Sequence, residues 1–279
     1  MSIQEIVKIL TDAGIEQNEA NTEVKLLIEH FCNMTAVDII MGKKLDSSKL
    51  EKVKEKALYR AKTRIPIKQI IGYGYFMNEK FKVTKDTLIP RDETEFLVRI
   101  SSDIINKNNF KKVLDIGTGT GCIACMISKY TPAEVLAIDI SLEALQIALD
   151  NVTYLGLTKK VLLRKSDLFS NVKEGESFDI IVSNPPYIPI KDKGSIQKEV
   201  SFDPDIALYT NDTDGIEYYD KIICQSEKFL NKNGYIAFEI GLGQSDKVKF
   251  LFEKYGYKNI TITKDLAGID RVITAQKSK

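Results

Sequence analysis

The sequence predicts an α/β protein in which a largely parallel sheet is wrapped by helices, preceded by a small helical bundle and a linking β-hairpin. Three observations lead there. Apolar residues in the first seventy positions recur at helical spacing. A glycine- and aromatic-rich stretch follows Pro66. From about residue 91, short β-branched runs alternate with helical stretches.

The N-terminal part carries three stripes. Ile3, Ile6, Val7 and Leu10 form the first, which Gly14 closes; Ala20, Val24, Leu27, Ile28 and Phe31 form the second; Leu50, Val53 and Ala57 form the third. Each reads as the inner face of a bundle. From Lys43 to Lys68 there are ten Lys or Arg against three Asp or Glu. Such a run reads as a solvated helix face or, more sharply, as a docking surface for an acidic partner. Pro66 breaks the helical pattern. The segment IIGYGYFMNEKFKVTKDTLIP then reads as a hairpin, with strands at 75–77 and 81–83 and the turn at Asn78-Glu79.

Beyond it, strands are expected at 113–116, 135–138, 161–164, 180–183 and 235–240, with helices near 121–130, 142–156 and 215–231. Two further strand-like runs, 258–263 and 271–275, follow a helix near 244–255. This alternation is the signature of βαβ crossovers.

Composition narrows the function. In 279 residues, 43% hydrophobic and 28% charged content fits an ordinary globular chain, and a net charge of +1 offers no pull toward nucleic acid or anionic membrane. No apolar run approaches the roughly 20 residues that span a bilayer. The start, MSIQEIVKIL, lacks the shape of a signal peptide because Glu5 and Lys8 interrupt it. Among four cysteines and one histidine, only Cys122 and Cys125 are close, and they lie in the apolar stretch CIACMISKY, where small buried thiols pack. No metal is expected. His30 reads as structural, which disfavours a Ser-His-Asp hydrolase.

Ligands of such sheets bind outside the carboxyl ends of the strands. Four features fall there. The first is Asp115-Ile116-Gly117-Thr118-Gly119-Thr120-Gly121, a strand-to-helix loop whose glycines let backbone approach a ligand. A dinucleotide fingerprint would need a small residue where Cys122 stands. The second is Asp139, placed to accept from both ribose hydroxyls of a nucleoside cofactor, or else to cap the helix that follows Ser141. The third is Ser166-Asp167-Leu168-Phe169, where Asp167 can accept from an adenine amino group and Leu168 can cover the ring. The fourth is Asn184-Pro185-Pro186-Tyr187. Its prolines remove two N–H donors and stiffen the turn, so the Asn184 side chain and the Pro185 carbonyl can hold a planar NH2 group by both hydrogens.

The Gly loop (Gly117, Thr118, Gly119, Thr120, Gly121), Asp139 and Asn184–Tyr187 together resemble class I S-adenosylmethionine-dependent methyltransferases acting on planar nitrogens. The segments Leu88-Ile89-Pro90-Arg91-Asp92-Glu93-Thr94-Glu95, Gly72–Phe81 and Asp265-Leu266-Ala267-Gly268-Ile269-Asp270-Arg271-Val272 are similar to the HemK/PrmC family over nearly the whole chain. Asp92 departs from the proline that many members carry there. The resemblance implies a Rossmann-like, seven-stranded, mostly parallel sheet. It also implies a helical substrate-docking domain at 1–70, a hairpin linker at 71–90 and a methyltransferase domain at 91–279.

The activity implied is methyl transfer from S-adenosylmethionine to the side-chain amide of the glutamine in the Gly-Gly-Gln motif of peptide-chain release factors. The nitrogen would attack the sulfonium methyl directly. Asn184, Pro185 and Tyr187 are the implied catalytic residues. Gly117, Thr118, Gly119, Thr120, Gly121, Asp139, Asp167, Leu168 and Asn184 would bind the cofactor. Asn184, Pro185, Pro186, Tyr187 and Phe76 would bind the substrate, with Phe76 closing the pocket from the hairpin and Tyr187 packing the glutamine side chain. Arg91 and Glu95 would brace their loop.

The partners expected are release factors, with no direct nucleic acid and no membrane, in a cytoplasmic monomer. Three alternatives stand beside this. An amino-nucleobase methyltransferase (DNA adenine or rRNA guanine) shares the Asn-Pro-Pro-Tyr logic but would want a basic groove. A non-catalytic cofactor-binding adaptor has no need of Asn184–Tyr187. A nicotinamide oxidoreductase is disfavoured by Cys122.

Overall fold

A capping box opens the first helix of the computed structural model, which describes residues 2–35, 37, 38 and 41–278. Ser2 Oγ accepts from Glu5 N, and Ser2 N donates to Glu5 Oε2 at 2.8 Å, satisfying two of the free donors at the helix start. The chain divides into two units, one made of residues up to Tyr73 plus Gln197–Phe202, the other of Gly74–Ile196 and Asp203 onward.

In the first unit, α1 (Ile3–Asp12), α2 (Gln17–Cys32) and α3 (Ser47–Thr63) turn their apolar stripes onto one core. Ile6, Leu10, Val24, Leu27, Ile28, Val53 and Ala57 are all fully buried there. Gly14, at φ +81°, lets the chain reverse after α1. A one-turn helix, α4 (Ile67–Ile71), follows Pro66.

The basic run 43–68 is not wholly a solvated face. Arg60 is fully buried and spends its guanidinium on Glu23 (3.0 Å), Glu199 (3.0 Å) and Glu19 (3.4 Å). Glu199 belongs to the short stretch that leaves the second unit's sequence and returns to it at Asp203.

The hairpin is formed by β1 (Tyr73–Phe76) and β2 (Glu79–Lys82), which belong to the second unit from Gly74 onward. Its turn is Met77-Asn78, both at positive φ (+50° and +65°), one residue earlier than the sequence pattern places it. Two consecutive left-handed residues match the twist of a tight hairpin, and Asn tolerates that region well. Next comes α5 (Thr94–Asn108), a helix that the strand–helix alternation does not reveal.

The sheet has seven strands: β3 (Lys112–Ile116), β4 (Glu134–Asp139), β5 (Val161–Lys165), β6 (Phe178–Ser183), β9 (Leu230–Glu239), β10 (Lys258–Lys264) and β11 (Asp270–Gln276). Their order is β10-β11-β9-β6-β3-β4-β5. Pairs from β5 through β9 are parallel, and β11 runs antiparallel between β9 and β10.

Both sheet faces are covered, so the central strands carry near-continuous apolar runs rather than alternating ones, interrupted in β3 by the buried Asp115. Val113, Val135, Ile180 and Val182 face α5, α6 (Cys122–Tyr130) and the hairpin phenylalanines, while Leu114, Leu136, Ile181 and Phe238 face α9 (Glu217–Ser226) and α10 (Ser245–Lys254). Each such aliphatic or aromatic side chain contributes about 1.5–3 kcal/mol of burial. From β3 the chain moves outward through β4 and β5, then returns to β6 on the other side of β3. That reversal opens a crevice beyond the carboxyl ends of β3 and β6. Two short pieces, β7 (Ile188–Pro189) and β8 (Tyr209–Thr210), pair in parallel, and a one-turn helix, α8 (Asp205–Leu208), leads into β8.

Candidate active site

Residues from several strand ends converge on one cleft with an empty volume of about 850 Å3, including its open mouth. It is lined by Gly117 and Gly119 after β3, Asp139 after β4, Asp167 and Leu168 after β5, and Asn184, Pro185 and Pro186 after β6.

The glycine loop takes its shape from its own residues. Gly117 (φ +71°) and Gly119 (φ +55°) both sit in the left-handed region, and a Cβ on either would meet no protein atom within 4 Å. Their lack of a side chain therefore keeps the cleft open rather than relieving a packing clash. Thr118 and Thr120 do not line the cleft, contrary to the sequence expectation. Both are buried beneath the loop, where Thr118 Oγ1 donates to Asp115 Oδ2 at 2.6 Å and the Thr120 carbonyl accepts from Asn151 Nδ2 at 2.9 Å. Gly121 also lies off the wall; it starts α6, where a Cβ would press on Ala148 Cβ at 3.2 Å.

Asp139 does two jobs. Oδ2 accepts from Gly119 N at 2.8 Å, and Oδ1 accepts from Ser141 N at 2.9 Å. It thus fixes both the loop and the start of α7 (Leu142–Tyr154), yet each oxygen keeps a further lone pair for a ribose hydroxyl. Burial raises its carboxyl above the usual range, against the pull of those backbone donors. Leu168 adopts φ +46°, held by Ser166 Oγ donating to the Leu168 carbonyl at 2.6 Å.

At the end of β6, Ser183 Oγ donates to the Ile116 carbonyl at 2.7 Å and ties this strand end to β3. Asn184 Nδ2 donates to Thr94 Oγ1 at 3.3 Å. Tyr187 lies beside the cleft rather than on its wall. Its ring packs against the sheet core near Gly241, its carbonyl accepts from Gln244 Nε2 at 3.0 Å, and burial raises its hydroxyl well above the ordinary range. Phe76 corrects a second expectation: it is buried in the core, edge-on to Phe81, and does not line the cleft. Alternation along β1 turns Tyr75 outward and Phe76 inward.

Sequence reasoning missed the opposite wall, formed by Asp86, Thr87 and Leu88 together with Pro204, Ile206, Ala207 and Tyr218. The two loops meet through Arg91 and Asp203, 2.6 Å apart, and Ile89 N also donates to Asp203. Glu95 accepts from Met77 N at 2.8 Å and from Arg99 at 2.9 Å, so Arg91 and Glu95 both brace. No local pattern links residues this far apart.

The described lining carries three aspartates and neither Lys nor Arg. Such a wall suits a cationic or neutral nucleoside ligand and offers nothing to the phosphates of a dinucleotide or a nucleic-acid backbone. Burial pushes the Cys122 thiol up to about 12 and raises that of Cys125 as well, so both are inert packing groups. No described helix is long and apolar enough to cross a membrane.

Comparison with known proteins agrees with this architecture. The family described as Methyltransferase small domain matches residues 93–200. The release factor glutamine methyltransferase of Flavobacterium psychrophilum is 36% identical over 272 residues, covering 92% of each chain. That of Francisella tularensis is 39% identical over 252 residues, covering 88% of this chain and 87% of its own. In fold, the hMettl16 catalytic domain solved with the MAT2A 3'UTR hairpin 6 aligns with a TM-score of 0.58 at 17% identity, covering 78% of this chain and 81% of that one. Identity at this level over almost the full length of these relatives means that the chain belongs to the release factor glutamine methyltransferase family.

Proposed function

We propose that the protein transfers a methyl group from S-adenosylmethionine to the side-chain amide nitrogen (N5) of the glutamine in the Gly-Gly-Gln motif of peptide-chain release factors. The observation that carries this is the meeting of Asn184 and Pro185 with Gly117, Gly119 and Asp139 in one cleft free of basic side chains. The relatives from Flavobacterium psychrophilum and Francisella tularensis are named release factor glutamine methyltransferases.

Gly117, Gly119, Asp139, Asp167 and Leu168 would hold S-adenosylmethionine, with Thr118, Thr120 and Gly121 supporting the loop from beneath. When bound, that cofactor supplies a methyl carbon made electrophilic by its sulfonium. An amide nitrogen is a poor nucleophile, because its lone pair is shared with the carbonyl. The protein's part is therefore positioning, which lowers such barriers by several kcal/mol. Asn184 Oδ1 and the Pro185 carbonyl accept one N–H each from the substrate amide and counter the positive charge growing on its nitrogen. Pro186 stiffens the turn, and Tyr187 anchors it through its backbone. Pro204, Ile206 and Ala207 give the cleft an apolar wall on the opposite side.

The exposure of Lys43, Lys44, Lys49, Lys52 and Lys62, and of Leu58 and Tyr59, supports substrate docking by residues 1–70. A release factor substrate makes the cytoplasm the working compartment.

The test is mass spectrometry of release factor incubated with the protein and labelled cofactor, beside duplex DNA under matched conditions. One added methyl on the Gly-Gly-Gln glutamine is expected, with none on DNA; the reverse refutes the assignment. Asn184→Ala should bind S-adenosylhomocysteine as the wild type does and lose most of its turnover.

A further inference from the structure

The proposed role of Asn184 depends on which way its amide points, since only Oδ1 can accept from an incoming NH2 group. Two buried side chains from distant parts of the sequence bear on that choice. Thr94 is the first residue of α5, and Glu239 is the last of β9; each is only 3% exposed. Thr94 Oγ1 donates to Glu239 Oε2 at 2.6 Å, and Asn184 Nδ2 donates to Thr94 Oγ1 at 3.3 Å.

The direction of this chain follows from counting protons. Where Glu239 is ionised, above about pH 7, its carboxylate only accepts, and a threonine hydroxyl has one proton. With that proton on Glu239, Thr94 offers Asn184 nothing but lone pairs. The amide must then turn its NH2 toward Thr94, which leaves Oδ1 on the other side. The reverse orientation would face Oδ1 against the Thr94 oxygen, with both acceptors left without a proton. An unmade hydrogen bond at a buried site costs about 1–3 kcal/mol.

We propose that Thr94 and Glu239 are positioning residues that lock the Asn184 carboxamide with Oδ1 toward the substrate amide. The inference rests on the functional reading above for its kinetic consequence, but not for its geometry. Neither residue lines the cleft wall. Burial is the main influence on the Glu239 carboxyl; the donors Thr94 and Asn184 and the cation Arg271 pull against it, and Glu93 adds to it.

Two measurements test the lock. In the first, the Thr94→Val and Thr94→Ser enzymes methylate release factor at about pH 8, where Glu239 is ionised, and at saturating cofactor. Val keeps the shape and removes the hydroxyl, so kcat should fall by about tenfold or more while the KM for S-adenosylmethionine stays near that of the wild type. Ser restores the hydroxyl and should regain most of the rate. A merely structural role would move thermal stability and cofactor KM together and would show no rescue by Ser. Turnover by Thr94→Val equal to that of an active wild type overturns the proposal.

In the second, the protein is labelled with 15N-asparagine, and the Asn184 NH2 pair is identified by its loss in Asn184→Ser. Its exchange with water should be slow in the wild type and in Thr94→Ser, and faster in Thr94→Val. Equal exchange in all three overturns the lock whatever the substrate is. A wild type inert toward release factor would instead overturn the functional reading, and the exchange measurement would still decide the orientation of Asn184.

Discussion

Gln244 Nε2 donates to the Tyr187 carbonyl at 3.0 Å, and the same nitrogen lies 3.1 Å from the carbonyls of Asp214 and Gly215. Its Oε1 accepts from Gly241 N at 2.9 Å. One buried amide thus ties the segment after Pro186, the approach to α9 and the end of β9 together. Gly215 must be glycine for this, because a Cβ there would collide with the Tyr187 carbonyl. Gln244→Ala leaves those buried groups unpaired and is expected to cost about 1–3 kcal/mol. Gln244→Glu should cost more, since it sets a carboxylate against three carbonyl oxygens. Denaturant unfolding of the three proteins checks the order, and turnover should fall in the same order as the Asn184 turn loosens.

Gly119 separates strain from ligand contact. An alanine here takes a φ of +55° at a cost of about 1–2 kcal/mol, without striking any protein atom. Its methyl would occupy the cleft instead. Gly119→Ala is expected to remain folded, with an affinity for S-adenosylhomocysteine lowered by more than about tenfold. Calorimetric titration reads this directly, and unchanged affinity would remove Gly119 from the cofactor site.

These residues differ in how far the sequence announces them. Gly117, Asp139 and Asn184 are legible because a parallel sheet puts its ligands at strand ends, so a strand followed by an unusual turn is already a location. Thr94, Glu239 and Gln244 are not, because pairing across up to 145 residues leaves no trace in local spacing. The helix α5 escapes for a different reason: Thr94, Ser101 and Ser102 are buried on its inner face, and its first turn has no side-chain cap. The hairpin turn shifts by one because Met77 accepts a left-handed conformation that its side chain does not advertise.

Arg60 holds the first unit together through charge. Its partner Glu23 is 5% exposed, and burial raises that carboxyl in spite of the guanidinium beside it. Arg60→Met strands Glu23 without a cation and is expected to cost about 3–5 kcal/mol. The double variant Arg60→Met with Glu23→Met removes the stranded charge and should be more stable than the single one. Denaturant unfolding of the full chain gives both values. A double variant no better than the single would mean that Arg60 matters for packing rather than pairing.

Glu239 makes stability depend on pH in a stated direction. Burial pushes its carboxyl from 4.5 up to about 7 in the folded chain. Between those values the folded state holds a proton that the unfolded state has released, so raising the pH through this window weakens the fold. The groups that face Glu239 are Thr94, Glu93, Arg271, Asn184, Tyr187, Tyr219 and Cys122. Glu93 and Arg271 carry the charges there and act with opposite sign; Tyr187, Tyr219 and Cys122 stay neutral in the window, because burial raises all three. Asp115, also raised to about 7, contributes a similar slope of its own. Glu239→Gln removes this one titration and leaves the raised carboxyls of Asp115, Asp139 and Glu23 in place. The unfolding free energy of Glu239→Gln minus that of the wild type should therefore rise from about pH 5 to about pH 7 and level off by about pH 8, whatever its absolute sign. A difference that stays flat across that range would show that the Glu239 carboxyl ionises in the folded protein much as it does in the unfolded chain.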